Sequence, residues 1–326
     1  MNGKADRDPV EELLEHARPR PAPPRGDVGR VREAVHAHWR RQVRNRRLRH
    51  VSFAAMAASL VAAVMLALTL SRTNEMAPTD VARVEKQFGA VYLVREDEGF
   101  VELGDAQRLL TGQVVQTAQA AGLGLLIGEV SVRLDEESRI ELQASDRIYL
   151  QRGRLYVNAP QEEPSSSLVI RTDQGAVAHL GTQYMVAIAG DELTVSVREG
   201  GIRIDGRYYD ARATAGEQVT LRGTWRPALQ RIAAASGSWR WTEALAHRLE
   251  VDGLPAERFL SWVRDETGYG VVFTDDRARA IAANTLLKGV VNEDPRTALK
   301  LRLLTMDLGY EIDDARGEIR IRSTAR

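Results

Sequence analysis

Six histidines and no cysteine set the limits on chemistry in this 326-residue chain. The histidines are His16, His36, His38, His50, His179 and His247. Without thiols there is no cysteine nucleophile and no Cys-based zinc site. His36 and His38 lie two residues apart, so on a helix they diverge and cannot share a metal without other ligands. His179 falls in a strand-like stretch and reads as a surface or core residue. Gly122-Leu123-Gly124 with Gly128 has the spacing G-x-G-x-x-x-G, but no helical pattern follows, so turn glycines in a β domain explain it better than a phosphate loop. Asp135-Glu136-Glu137 reads as a solvated turn rather than a calcium site. Trp239 and Trp241, two apart, would share one side of a strand and pack between domains. No nucleophile–base pair and no metal-ligand set emerges. The expectation is a protein that is not an enzyme, with no catalytic residue, no metal and no cofactor. A hydrolase acting on envelope polymers is a distant third reading, since it would need paired carboxylates in a cleft, which one sequence does not place.

The elements around these residues start with Val51–Leu70, VSFAAMAASLVAAVMLALTL, which has no charge, Pro or Gly. At about 1.5 Å rise per residue it is long enough for a hydrocarbon core of roughly 30 Å. As a helix it satisfies its own backbone groups, so it reads as a single transmembrane helix over 51–70. It is longer than a signal-peptide core and begins far from the N-terminus, which favours an uncleaved anchor. The flanks orient it. Arg40, Arg41, Arg44, Arg46, Arg47 and Arg49 precede it, whereas Ser71–Asp80 carries Arg72 against Glu75 and Asp80. The Arg-rich side stays inside, which places residues 1–50 in the cytoplasm and the rest in the periplasm, anchored in the inner membrane. The same arginines touch anionic lipid headgroups; direct nucleic-acid binding is not expected of a run that abuts a bilayer. The overall net charge of zero conceals an asymmetry: residues 1–50 hold thirteen Lys and Arg against seven Asp and Glu, net +6.

The cytoplasmic segment, 1–50, reads as short helices around a Pro-rich linker at Pro19, Pro21, Pro23 and Pro24. After Asp27, a plausible N-cap, Val28, Val31, Val35 and Trp39 recur at spacings of three and four. This stripe is too short to fold alone, so Val31, Val35 and Trp39 are the candidate partner-contact residues. A helix lying on the membrane surface is the competing reading.

Residues 81–222 read as an all-β domain, either a sandwich or a short solenoid. Alternating runs include Val91–Val94, Val130–Leu134, Arg147–Leu150, Leu168–Ile170, Val195–Val197, Ile202–Ile204 and Val219–Leu221, with a hairpin turn expected at Arg198-Glu199-Gly200-Gly201. Residues 223–246 read as a helical or irregular connector. Residues 247–326 form a small α+β domain in β-α-β-β-α-β-β order. Its first helix follows Pro255, with Phe259, Leu260 and Val263 on one face and Gly268 past its end. The second opens on Asp294-Pro295, with Leu299, Leu303 and Leu304 on its apolar face.

The β region resembles the FecR domain of membrane-bound anti-sigma regulators of cell-surface signalling. The resemblance rests on Arg147-Ile148-Tyr149-Leu150-Gln151-Arg152-Gly153-Arg154-Leu155-Tyr156-Val157, Leu168 through Val177, Leu180-Gly181-Thr182-Gln183-Tyr184-Met185-Val186, Val195 through Gly200, and Ala215-Gly216-Glu217-Gln218. The last module is similar to the short domain at the N-termini of secretins and TonB-dependent transducers, through Leu254-Pro255, Thr267 through Phe273, Ala298-Leu299, Leu308 through Ile312 and Ile319-Arg320-Ile321. The resemblance implies a transmembrane regulator. Its periplasmic part would sense the signalling domain of an outer-membrane TonB-dependent transducer, and its cytoplasmic part would bind an extracytoplasmic-function (ECF) sigma factor. Edge strands of the last module would dock the transducer by strand addition. The family's cytoplasmic domain is usually a longer helical unit than the 50 residues here. The second reading is therefore a membrane-tethered periplasmic protein-binding or scaffold module with no sigma-factor contact.

Overall fold

The computed structural model describes residues 79–95, 97–159 and 168–324, together with Gly29. The cytoplasmic segment, the stripe Val31, Val35 and Trp39, the arginines Arg40, Arg41, Arg44, Arg46, Arg47 and Arg49, and the span 51–70 lie outside the described residues. Among the described residues, no helix is long and apolar enough to cross a membrane.

From Asp80 to Arg231 the described chain is nearly all strand: β1 (Asp80–Phe88), β2 (Val91–Arg95), β3 (Gly99–Glu102), β4 (Arg108–Leu110), β5 (Val114–Thr117), β6 (Gly122–Ile127), β7 (Val130–Leu134) and β8 (Arg139–Ala144). Then come β9 (Arg147–Asn158), β10 (Val169–Thr172), β11 (Gly175–Ala189), β12 (Glu192–Gly206), β13 (Ala211–Thr214), β14 (Glu217–Arg222) and β15 (Ala228–Arg231). They join into one continuous sheet. Its long strands change partners midway: β9 pairs first with β8 and β10, then with β7 and β11, while β12 pairs with β14 and then β13. The period-2 alternation drives one set of side chains into a single core that includes Leu123, Leu125, Val132, Leu134, Leu155, Val157, Tyr184, Val186, Val195 and Val197.

The expected hairpin at Arg198–Gly201 is not a turn. Strand β12 runs through it unbroken, and the chain reverses at Gly190-Asp191 instead. Gly200 is a bulge: the ladder slips between the Leu180–Gly201 and Gln183–Glu199 pairs. Its φ is +75°, and a Cβ there would lie 2.3 Å from the Gly181 carbonyl oxygen. Two glycines in sequence signal a bulge as well as they signal a turn. Gly122 and Gly124 are likewise not turn residues but lie inside β6, where the missing side chains admit the Phe88 ring and the Leu245 segment.

The connector holds more structure than expected. Strand β15 adds to β14, a 3-10 turn follows at Gly237–Trp239, and α1 (Arg240–Glu243) continues it. Trp239 and Trp241 are therefore helical, not on a strand, yet both pack with Tyr156, in keeping with a role between domains.

The last module contains β16 (Leu249–Glu250), α2 (Ala256–Thr267), β17 (Gly270–Phe273), α3 (Asp276–Asn284), β18 (Val290–Val291), α4 (Pro295–Leu303), β19 (Leu308–Asp313) and β20 (Glu318–Ser323). Strand β20 is central, parallel to β17 and antiparallel to β19. Phe259, Leu260 and Val263 fill its core, Gly268 ends α2 in the left-handed region, and Asp294 caps α4 through the amides of Arg296 and Thr297. Helix α3 breaks the expected order. Only Ala278 and Ala282 are buried on it, too small an apolar signal to read, although Asp275 caps it by accepting from the Ala278 amide. Leu304 does not join the apolar face of α4. It is the C-cap residue, 75% exposed; its backbone is still helical, and at 3.6 residues per turn it lies about 140° around the axis from Leu299.

Candidate functional site

Alternation along β7, β9, β11 and β12 leaves a second row of side chains on the face away from the core. Pairing lines up Gly124, Arg133, Tyr156, Met185, Ser196 and Gln218 across successive strands. Such a face is ordinarily wet, but Arg133 and Tyr156 are fully buried. The connector and α2 cover them.

Glu266, from the last turn of α2, enters this row. Its carboxylate faces the Arg133 guanidinium: Nη2 donates to Oε1 at 2.9 Å, and Nη1 lies 2.6 Å from Oε2 as a close ion-pair contact. Arg133 Nη1 also donates to the Thr242 carbonyl at 2.9 Å. His247 Nδ1 lies 2.9 Å from Glu266 Oε1. Arg198 donates to the Glu266 backbone carbonyl at 3.0 Å and lies over the Trp239 ring, 4.6 Å from its centroid. Arg133 covers the Tyr156 ring at 5.2 Å, and Tyr156 meets Trp239 edge to face. On the far side of α1, Glu243 accepts from Arg296 Nε at 2.8 Å, which ties the connector to α4.

Burial alone would push the Glu266 carboxyl up. Arg133, with the hydrogen bond from His247, outweighs burial and holds it at about 2. The same pairing raises Arg133 against its own burial. Burial lifts the Tyr156 hydroxyl to about 12 and works against the charge of Arg198. The arrangement holds charges in place. It is a lock between the β domain and the last module.

The lock has an acid limit. In the unfolded chain Glu266 titrates near 4.5, above its folded value of about 2. Its contribution is therefore complete above about pH 4.5 and is lost as pH falls toward 2, about 3 kcal/mol in all. Urea midpoints measured from neutral pH down should fall through that window. Glu266→Gln should flatten the acid limb.

Within this domain, residues 113–203 match the family described as FecR protein. The FecR region of this chain is the stretch that matches, residues 113–203. It runs from just before β5 through most of β12, so it includes Arg133, Tyr156 and Arg198 but not Glu266. Two solved structures of candidate anti-sigma factors from Parabacteroides distasonis ATCC 8503 are similar to the chain. One is 15% identical over 65% of this chain and 99% of that one, with a TM-score of 0.35; the other is 16% identical over 76% and 99%, with a TM-score of 0.27. No curated protein matches.

His179 is buried in β11, and burial lowers its pKa. Asp135 pairs with Arg154, and Glu136 accepts from the Ala120 amide, so this acidic run serves turn structure. Among the described residues, no group of three His, Asp or Glu could hold a metal ion. His247 joins Glu266 in the lock between the FecR region and the last module, a role its sequence position did not suggest. Arg133 and Glu266 carried no sequence signal either: one is the polar member of an alternating strand, the other lies in the polar run Arg264-Asp265-Glu266-Thr267.

Proposed function

We propose that the chain is a FecR-type transmembrane regulator that relays a signal from an outer-membrane TonB-dependent transducer to an ECF sigma factor, without enzymatic activity. The match of residues 113–203 to FecR carries this reading. The lock supports it, because a module that receives a partner must be coupled to what it drives. In the last module β17 and β19 are the outer strands of their sheet, and Val272 on β17 is exposed. An extended strand of the transducer's signalling domain adds to one of these edges through main-chain hydrogen bonds. The apolar run 51–70 carries the signal across the inner membrane to residues 1–50, where Val31, Val35 and Trp39 meet the sigma factor.

A tagged 1–50 segment should capture an ECF sigma factor encoded beside this protein. Replacing Val31, Val35 and Trp39 with Asp should abolish the capture. If the intact segment captures none, the anti-sigma reading falls and a membrane-tethered scaffold takes its place.

A further inference from the structure

Strand β12 bends until its two ends meet. Gly206, its last residue, packs so closely that a Cβ there would collide with the Leu221 side chain and the Tyr209 carbonyl oxygen. Leu221 in turn pairs with Leu193, near the start of the same strand. The Arg207 amide donates to the Gln174 carbonyl at 2.7 Å, which ties the loop after β12 to the turn between β10 and β11. These turns, with those before β12 and after β14, enclose a cavity of about 180 Å³. That is below the range of drug-sized sites and suits a single small ring.

Its lining is accessible and aromatic. Tyr208, Tyr209 and Trp225 line it, and they are 54%, 39% and 75% exposed. Among the described residues, Phe88 and Phe100 are the other exposed large aromatic side chains. A single exposed ring is ordinary, but three gathered on one concavity mark a binding surface. Asp173, Asp191 and Arg207 line the same cavity and are exposed. Arg207 lies over the Tyr208 ring, 5.6 Å from its centroid, and Asp173 accepts from the Tyr149 hydroxyl, so both are held in place.

We infer that this cavity binds a neutral oligosaccharide, with one pyranose ring inside it and the next ring against Trp225. A pyranose with equatorial hydroxyls has a flat C–H face to pack on an aromatic ring. The hydroxyls at its edge both donate and accept, whereas a carboxylate only accepts and a guanidinium only donates. One ligand therefore answers the rings, Asp191 and Arg207 together. A cation would suit the carboxylates but be repelled by Arg207, and an anion would meet the opposite conflict. The cavity has room for one ring, so Trp225, the most exposed of the three, receives the neighbour. This inference concerns binding and stands whether or not the chain regulates a sigma factor.

The test is a titration of the full chain, labelled with ¹⁵N at its indoles, in a detergent that carries no sugar headgroup. The probes are cellotriose and triacetylchitotriose. The Trp225 signal is assigned through Trp225→Ala. At least one trisaccharide should move the Trp225 indole signal and leave that of the buried Trp239 in place. Saturation transfer should reach the ring C–H protons of the bound sugar. Trp225→Ala removes an exposed turn residue and should weaken the affinity about tenfold. Phe100→Ser, which removes an exposed ring on β3, should leave it unchanged. Choline serves as the competing cation. No response to either trisaccharide at millimolar concentration, a response to choline alone, or equal affinity in Trp225→Ala would each overturn the proposal.

Discussion

Glu266→Gln is expected to lower the unfolding free energy by about 3–5 kcal/mol, the range for breaking a buried ion pair from one side. The guanidinium of Arg133 would remain fully buried with one charge partner gone, and His247 would lose its carboxylate. Arg133→Met should cost a similar amount, because it strands the Glu266 carboxylate instead. The double variant Arg133→Met with Glu266→Leu should recover most of the loss, since an apolar pair has no charge to desolvate. Urea unfolding of the wild type, Arg133→Met, Glu266→Leu and this double variant closes the cycle and gives the coupling energy directly. Single losses below about 1 kcal/mol would show that the two modules are held by packing alone. On the proposed relay, the double variant separates stability from signalling: it should stay folded while the relay weakens, because a directional charge contact has been exchanged for one that permits sliding.

Trp239→Ala should be comparably severe, at about 3–5 kcal/mol. The side chain is fully buried against Tyr156 and Met185, its indole N–H donates to the Ala233 carbonyl at 3.2 Å, and Arg198 rests on its ring. Truncation opens a cavity on the outer face of the sheet and removes the surface that shields Arg198. Trp239→Phe should retain much of the packing and lose less. Limited proteolysis offers a second readout: in Trp239→Ala, cleavage in the connector should release the last module, whereas the wild-type connector should resist. Equal protease resistance in the two would show that Trp239 does not hold the connector down.

The short strands from Val91 to Leu221 were legible because alternation has a period that one buried face imposes on any strand. The helices after Pro255 and at Asp294-Pro295 were legible because caps and a 3.6-residue stripe are local. The extended reach of β12 was not legible, since a glycine pair suits a bulge as well as a turn and the neighbouring strand decides which. Helix α3 escaped because alanines bury little. Leu304 lies off the buried face because it follows Leu303 by one residue, about 100° further around the helix, and an apolar pair in sequence does not say which member faces inward.

The alternating run Val130-Ser131-Val132-Arg133-Leu134 shows where local reading stops. By itself it determines that Val130, Val132 and Leu134 face one way and Arg133 the other, because successive side chains on a strand point to opposite faces. It reads Arg133 as a residue facing water. Only the tertiary structure brings Glu266, 133 residues along the chain, against it. Which elements cover the second face of a sheet depends on the packing of distant segments, and no spacing within the strand records it. The sequence alone determined the β domain with its FecR resemblance and the small α+β module after it. That the two are joined through a buried Arg133–Glu266 pair, with Arg198, Trp239 and His247 around it, was decided by the fold.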